Sequence, residues 1–177
     1  MTMVGRGRFL AVFFHESNPI NKTQKLGYSL YDGITMREIA CDSVAGLSSE
    51  SSLSWAGFSN DFALSIMDDD GMLSMLMTMK PDGESNDPAS FSWAPMLDTV
   101  GLRKSREDSF WPVSVQNGKL ICVPLKGGMN HPNPARRPLT TSLQLRIPLA
   151  RDGNDKRQVC ICIYKYINSF FCFTICI

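Results

Sequence analysis

The chain has 177 residues, 44% hydrophobic and 20% charged, with a formal net charge of +1. Such a length and mix suit one globular domain or part of a larger one and exclude disorder as the default. They also exclude a global electrostatic pull towards nucleic acid or membrane, and Arg6 and Arg8 are not followed by the apolar run and small-residue cleavage site of a secretory signal.

In chain order, residues 1–8, containing Gly5-Arg6-Gly7-Arg8, read as a frayed terminus or an interrupted strand. A single Arg-Gly copy is too little for multivalent RNA binding. FLAVFF (9–14) is a compact apolar run that Asn18-Pro19 breaks, and KLGYSLYDG (25–33) alternates until Asp32-Gly33. Cys41 lies in a strand-like stretch and, with Cys122, reads as a small buried apolar residue. A serine-rich linker over residues 48–52 leads to LSWAGFS (53–59). FALSIM (62–67) and MLSMLMTM (72–79) flank Asp68-Asp69-Asp70-Gly71, a hairpin signal in which glycine accepts positive φ. FWPVSVQ (110–116) and KLICVPL (119–125) flank Asn117-Gly118, the most specific two-residue hairpin signal. SLQLRIPL (142–149) alternates again.

No segment carries a 3.6-residue apolar stripe of helical length, so the pattern predicts an antiparallel all-β architecture: propeller, sandwich or barrel. Repeated hairpin pairs with aromatic residues near strand starts favour propeller blades. The expected fold is a truncated, partial β-propeller of two to three blades over residues 9–150, built from nine or ten strands. Trp55, Trp93 and Trp111 read as blade-core anchors rather than base-stacking platforms.

Charge is unevenly spread. Residues 36–100 hold two basic against eleven acidic residues, and residues 101–146 hold eight basic against two acidic. Within the second stretch, Arg103, Lys104, Arg106, Lys126, Arg136 and Arg137 are the candidate contacts for DNA or an acidic partner, against the plainer reading of solvated loops. No catalytic constellation is legible. Asp68 to Asp70 lack the glutamate that ends a calcium loop, since Met79 stands at that position, and they read as a solvated turn. His15-Glu16-Ser17 are side by side at a strand end without a nucleophile elbow. Gly127-Gly128 follow Lys126 instead of preceding a lysine, so no phosphate loop is spelled. The cysteines and histidines lack zinc spacing. The expectation is therefore a protein with no enzyme activity, metal or cofactor.

The runs LSWAGFSNDFALSIMDDDGMLSML (53–76), FSWAPMLDT (91–99) and FWPVSVQNGKLICVPLKGG (110–128), with Pro132, Pro134 and Pro138 after them, resemble a known family. They look like the second β-propeller of the WD-repeat and HMG-box DNA-binding proteins, also called acidic nucleoplasmic DNA-binding proteins, related to the fungal chromosome-transmission-fidelity scaffold. The resemblance covers roughly residues 9–150. It implies a nuclear, homotrimeric, non-enzymatic hub that couples the replicative helicase to DNA polymerase α on chromatin. The family's WD-repeat propeller, helical bundle and HMG box have no counterpart in these residues.

Past a linker at residues 151–158, the tail VCICIYKYINSFFCFTICI (159–177) departs from that pattern. Fifteen of its nineteen residues are apolar or aromatic, and Lys165 is its one charge. Its residue types are encoded by A/T-rich codons, and it reads as translated intron. The alternatives are a membrane tail anchor, against which Lys165 and Asn168 fall mid-span, and a buried strand.

Overall fold

The computed structural model describes residues 1–18, 24–48, 50–79, 90–135 and 137–147. Among them are eleven strands in three antiparallel sheets. The first sheet runs β1 (Thr2–Arg6), β2 (Phe9–His15), β3 (Leu26–Asp32), β4 (Arg37–Ser43). The second runs β5 (Leu53–Phe58), β6 (Leu64–Asp68), β7 (Met72–Met79), β8 (Ser90–Asp98). The third pairs β9 (Ser109–Gln116) with β10 (Lys119–Leu125), and β10 with β11 (Thr141–Gln144). Each sheet follows chain order, and the leading strands β1, β5 and β9 lie side by side. Sheets stacked in series around adjoining first strands are the blades of a partial propeller.

Two cores sit between the blades. Ala11, Phe13, Tyr28 and Leu30 of the first blade close on Phe58, Leu64, Ile66 and Leu76 of the second. Met67, Leu73, Met75 and Leu97, from the other side of the second blade, close on Val115, Leu120 and Cys122 of the third. The two-residue period of a strand makes this possible: Leu64 and Ile66 face one neighbour while Met67 faces the other. Truncating a fully buried residue such as Leu73 or Leu120 would remove about 2–5 kcal/mol.

The hairpin signals are realised as turns. Asn117 and Gly118 both take positive φ, 50° and 68°, and Gln116 pairs with Lys119 across them, as a type I′ corner requires. Gly71 takes φ 94° between β6 and β7.

Four sequence expectations are corrected. The N-terminus is not frayed: β1 pairs with β2 from Thr2↔Phe13 to Arg6↔Phe9, because Gly7 at φ 58° closes a two-residue turn. Cys41 is exposed, since β4 is the outer edge of its sheet; its sulfur meets the Ser29 hydroxyl at 3.3 Å. Trp111 is not a core anchor, being 43% exposed. Trp55 and Trp93 do pack against the cores, the latter edge-on to Tyr28 at 5.3 Å between ring centroids. Burial pushes the Tyr28 hydroxyl up to about 12, with a smaller push from Asp42 and Cys41.

The fourth correction concerns Asp68, which is not solvated but 1% exposed. Its carboxylate accepts from the Met72 N–H at 2.7 Å, the Ser48 N–H at 3.1 Å and the Ser51 hydroxyl at 3.3 Å. Ser52 donates its N–H to Asp69 at 2.8 Å, and the Ser54 hydroxyl donates to the Met67 and Asp68 carbonyls, both at 2.9 Å. The serine-rich stretch is thus the donor set for this turn. A buried carboxylate is tolerated only with such donors.

A second carboxylate, Asp32, ties the two hairpins of the first blade. Arg8 grips it through Nε and Nη2, and the N–H groups of Ile34 and Thr35 donate to it at 3.0 and 3.5 Å. The guanidinium holds the Asp32 carboxyl well below the usual carboxylate range, helped by those N–H groups and opposed by burial; the same contact raises Arg8.

Two outcomes are expected. Asp68→Ala strands the Met72 and Ser48 N–H groups, while the Ser51 hydroxyl keeps the Ser48 carbonyl at 2.7 Å, and costs about 2–4 kcal/mol in chemical denaturation, whereas Asp68→Asn, which keeps one acceptor oxygen, costs less. The Asp32 contribution is present above the unfolded carboxylate pKa near about 4 and is lost as pH falls towards the lower folded value. Wild type therefore loses stability steeply below that point, and Asp32→Asn shows a shallower acid slope in denaturation midpoints between pH 5 and 2.

Candidate functional site

Of the sequence-predicted basic residues, Arg103, Lys104, Arg106 and Lys126 lie at one end of the second and third blades. Three loops meet there: the turn between β6 and β7, the β8–β9 connection over residues 99–108, and the chain leaving β10 at Lys126. The β8–β9 connection is tied at both ends. Thr99 donates to the Gly71 carbonyl through its hydroxyl at 2.8 Å and its N–H at 3.1 Å. At the far end, the Gly128 N–H donates to the Glu107 carbonyl at 3.0 Å. Inside the loop, Asp108 accepts the Ser105 N–H at 3.2 Å while its own N–H donates to the Ser105 carbonyl at 3.1 Å, which fixes the corner between them.

These ties sort the six candidates. Arg103 is half-buried and donates Nη2 to the Asp70 carbonyl at 3.0 Å. Its Nε is buried without a hydrogen-bond partner, so this side chain positions the loop against the second blade. Lys104 and Arg106 are exposed on the same loop, and Lys126 is exposed on the turn bonded to it. The structure therefore brings Lys104, Arg106 and Lys126 onto two joined loops. Gly127 and Gly128, at φ 62° and 73°, swing the chain round behind Lys126, a role only glycine takes without strain. Arg137 is exposed on the connection to β11, and Arg136 lies outside the described residues.

Between the blades at this end is a cleft of about 280 Å³, lined on its apolar side by Trp55, Phe110 and Trp111 and on its polar side by Asp69, Arg103 and Asn130. Neither Trp111 nor Asn130 was legible as a site residue: an exposed tryptophan at a strand start looks like a buried one in sequence. Asp69 and Arg103 line this cleft together, so opposite charges meet at this end.

Other candidates resolve simply. Glu16 accepts the Ser43 hydroxyl at 2.6 Å, a cross-strand tie beside His15. Among the described residues no three of His, Cys, Asp or Glu gather as a metal site, and no helix is long and apolar enough to cross a membrane. The linker at 151–158 and the tail at 159–177, with its intron and anchor readings, lie outside the described residues.

Residues 1–149 match the family described as minichromosome loss protein, Mcl1, middle region. The WD repeat and HMG-box DNA-binding protein 1 of Homo sapiens is 26% identical over 162 residues, which is 90% of this chain and 14% of that protein. The minichromosome loss protein 1 of Schizosaccharomyces pombe is 37% identical over 92 residues, 51% of this chain and 10% of that protein. Protein ENHANCER OF LHP1 1 of Arabidopsis thaliana is 31% identical over 152 residues, 85% of this chain and 15% of that protein. The chain thus spans a small fraction of the length of each of these relatives.

The division between a fixed arginine and available cations is checked by alanine substitution. Arg103→Ala lowers stability by about 1–2 kcal/mol through its lost hydrogen bond and packing. Lys104→Ala, Arg106→Ala and Lys126→Ala each stay within about 0.5 kcal/mol of wild type in urea denaturation.

Proposed function

The chain belongs to the Mcl1 middle-region family, and on that premise we propose that it is a non-enzymatic docking module of the DNA replication machinery, working on chromatin in the nucleus. Its task in this reading is to help link the replicative helicase to DNA polymerase α, within a longer protein that assembles as a trimer. The name of the human relative describes a DNA-binding protein, which supports a place near DNA. The observation that carries the reading is the presentation of Lys104, Arg106 and Lys126, all exposed, on two hydrogen-bonded loops whose neighbours Arg103 and Leu125 line an interblade cleft. Cations held on fixed loops contact phosphates or acidic side chains with little ordering cost.

The test uses the whole chain, immobilised and exposed in turn to purified DNA polymerase α, the replicative helicase complex and duplex DNA, at low and physiological salt. The expected result is retention of at least one of these by wild type and its loss in the triple variant Lys104→Glu, Arg106→Glu, Lys126→Glu. For DNA, each lost phosphate contact lowers the log–log salt slope by about 0.9. Retention that ignores the triple variant, or no retention of any of the three, overturns the proposal.

A further inference from the structure

The far end of the same strands carries a different surface. The Gly5-Arg6-Gly7-Arg8 segment forms the β1–β2 turn there, and the β5–β6 turn reaches across to it from the second blade. At the tip of that second turn stands Phe62, 49% exposed and at φ 62°. A bulky aromatic residue in the left-handed region is a costly choice, and such outliers persist where the surroundings dictate them. Here Ser59 dictates: its carbonyl accepts the Phe62 N–H at 3.0 Å, its hydroxyl accepts the Ala63 N–H at 3.1 Å, and its own N–H donates to the Ala63 carbonyl at 2.9 Å.

The fold thereby assembles aromatic rings and guanidinium groups that are distant in sequence. Phe62 meets Phe9 edge-on, with ring centroids 5.7 Å apart. The Arg6 guanidinium carbon lies 5.9 Å from the Phe62 centroid, and that of Arg8 lies 5.8 Å from the Phe9 centroid. Arg6 is exposed and the Arg8 side chain is 48% exposed. Two acidic groups are close by: Asp32, which is engaged by Arg8, and Asp61, whose carboxylate accepts from the Asn60 amide at 3.2 Å.

We propose that Phe62, with Arg6 and Arg8, is a stacking platform for single-stranded nucleic acid. A base lies on the exposed part of the Phe62 ring and a flanking phosphate meets the Arg6 guanidinium, while Arg8, engaged by Asp32, backs the neighbouring Phe9 ring. Aromatic faces accept any base, and cations beside them follow the backbone. A single strand is required because a base within a duplex cannot reach a ring on an open surface. This site is separate from the Lys104, Arg106 and Lys126 surface, and neither proposal depends on the other.

The experiment titrates the whole chain into a fluorescently labelled oligothymidylate and reads anisotropy. Glycine suits a positive φ, so Phe62→Gly removes the ring while relieving the backbone. The expected result is a loss of affinity of about tenfold, the scale of one stacked base, with an unchanged or raised melting temperature. Arg6→Gln should lower the log–log salt slope by about 0.7. Photocrosslinking of an oligonucleotide carrying 5-iodouracil, mapped by mass spectrometry, gives a readout that needs no variant, with the adduct expected on Phe62. Undetectable binding, an adduct elsewhere, affinity unchanged in Phe62→Gly, or equal ring-dependent binding of polyglutamate overturns the proposal.

Discussion

The whole arrangement rests on the second blade being covered on both faces. A strand sends alternate side chains to opposite sides, so a sheet between two neighbours must be apolar at odd and even positions alike. The run from Leu64 to Met67 and the run from Met72 to Met77 meet that demand apart from one buried serine in each, Ser65 and Ser74. Leu64, Ile66 and Leu76 serve the first core, and Met67, Leu73 and Met75 serve the second. Once this sheet is fixed, the other two have only one place each to bury their inward faces. The side-by-side placement of β1, β5 and β9 follows from that stacking.

The loops at both ends inherit their positions from the same constraint. Asp68 closes the β6–β7 turn by gathering donors from the serine-rich stretch that precedes β5. Thr99 and Arg103 then fasten the next connection to that turn, and Glu107 fastens it to the chain beyond β10. At the far end, Asn60 and Asn117 clasp each other, the Asn117 N–H donating to the Asn60 side chain at 2.9 Å and the Asn60 amide to the Asn117 side chain at 3.1 Å. Polar side chains therefore stitch neighbouring blades at their rims while apolar ones hold their faces.

Much of this was legible in the amino-acid order. Asp-Gly and Asn-Gly corners announced the hairpins because few residues accept positive φ, and the alternating runs between them marked strands. What escaped did so for identifiable reasons. The stretch around Cys41 read as a strand, but the exposure of Cys41 comes from β4 standing at the sheet edge, which its residues do not reveal. The segment of β1 read as either a frayed terminus or an interrupted strand, and only its pairing with β2 decides between the two. The basic residues were found as a set, but their division into a half-buried positioning arginine and three available cations depends on tertiary hydrogen bonds that no spacing encodes. Phe62 was read as the first residue of a strand, and only the closure of the Ser59 turn puts it at a tip.

In every sheet the spatial order of strands repeats their order along the chain, so each blade depends mainly on partners close in sequence, as repeat architectures do. A ribosome releasing this polypeptide from its N-terminus presents each new strand to one that has already emerged. The first blade is ready as a template before the second has left the exit tunnel, and the second serves the third in turn. Synthesis and assembly thus share one direction of travel.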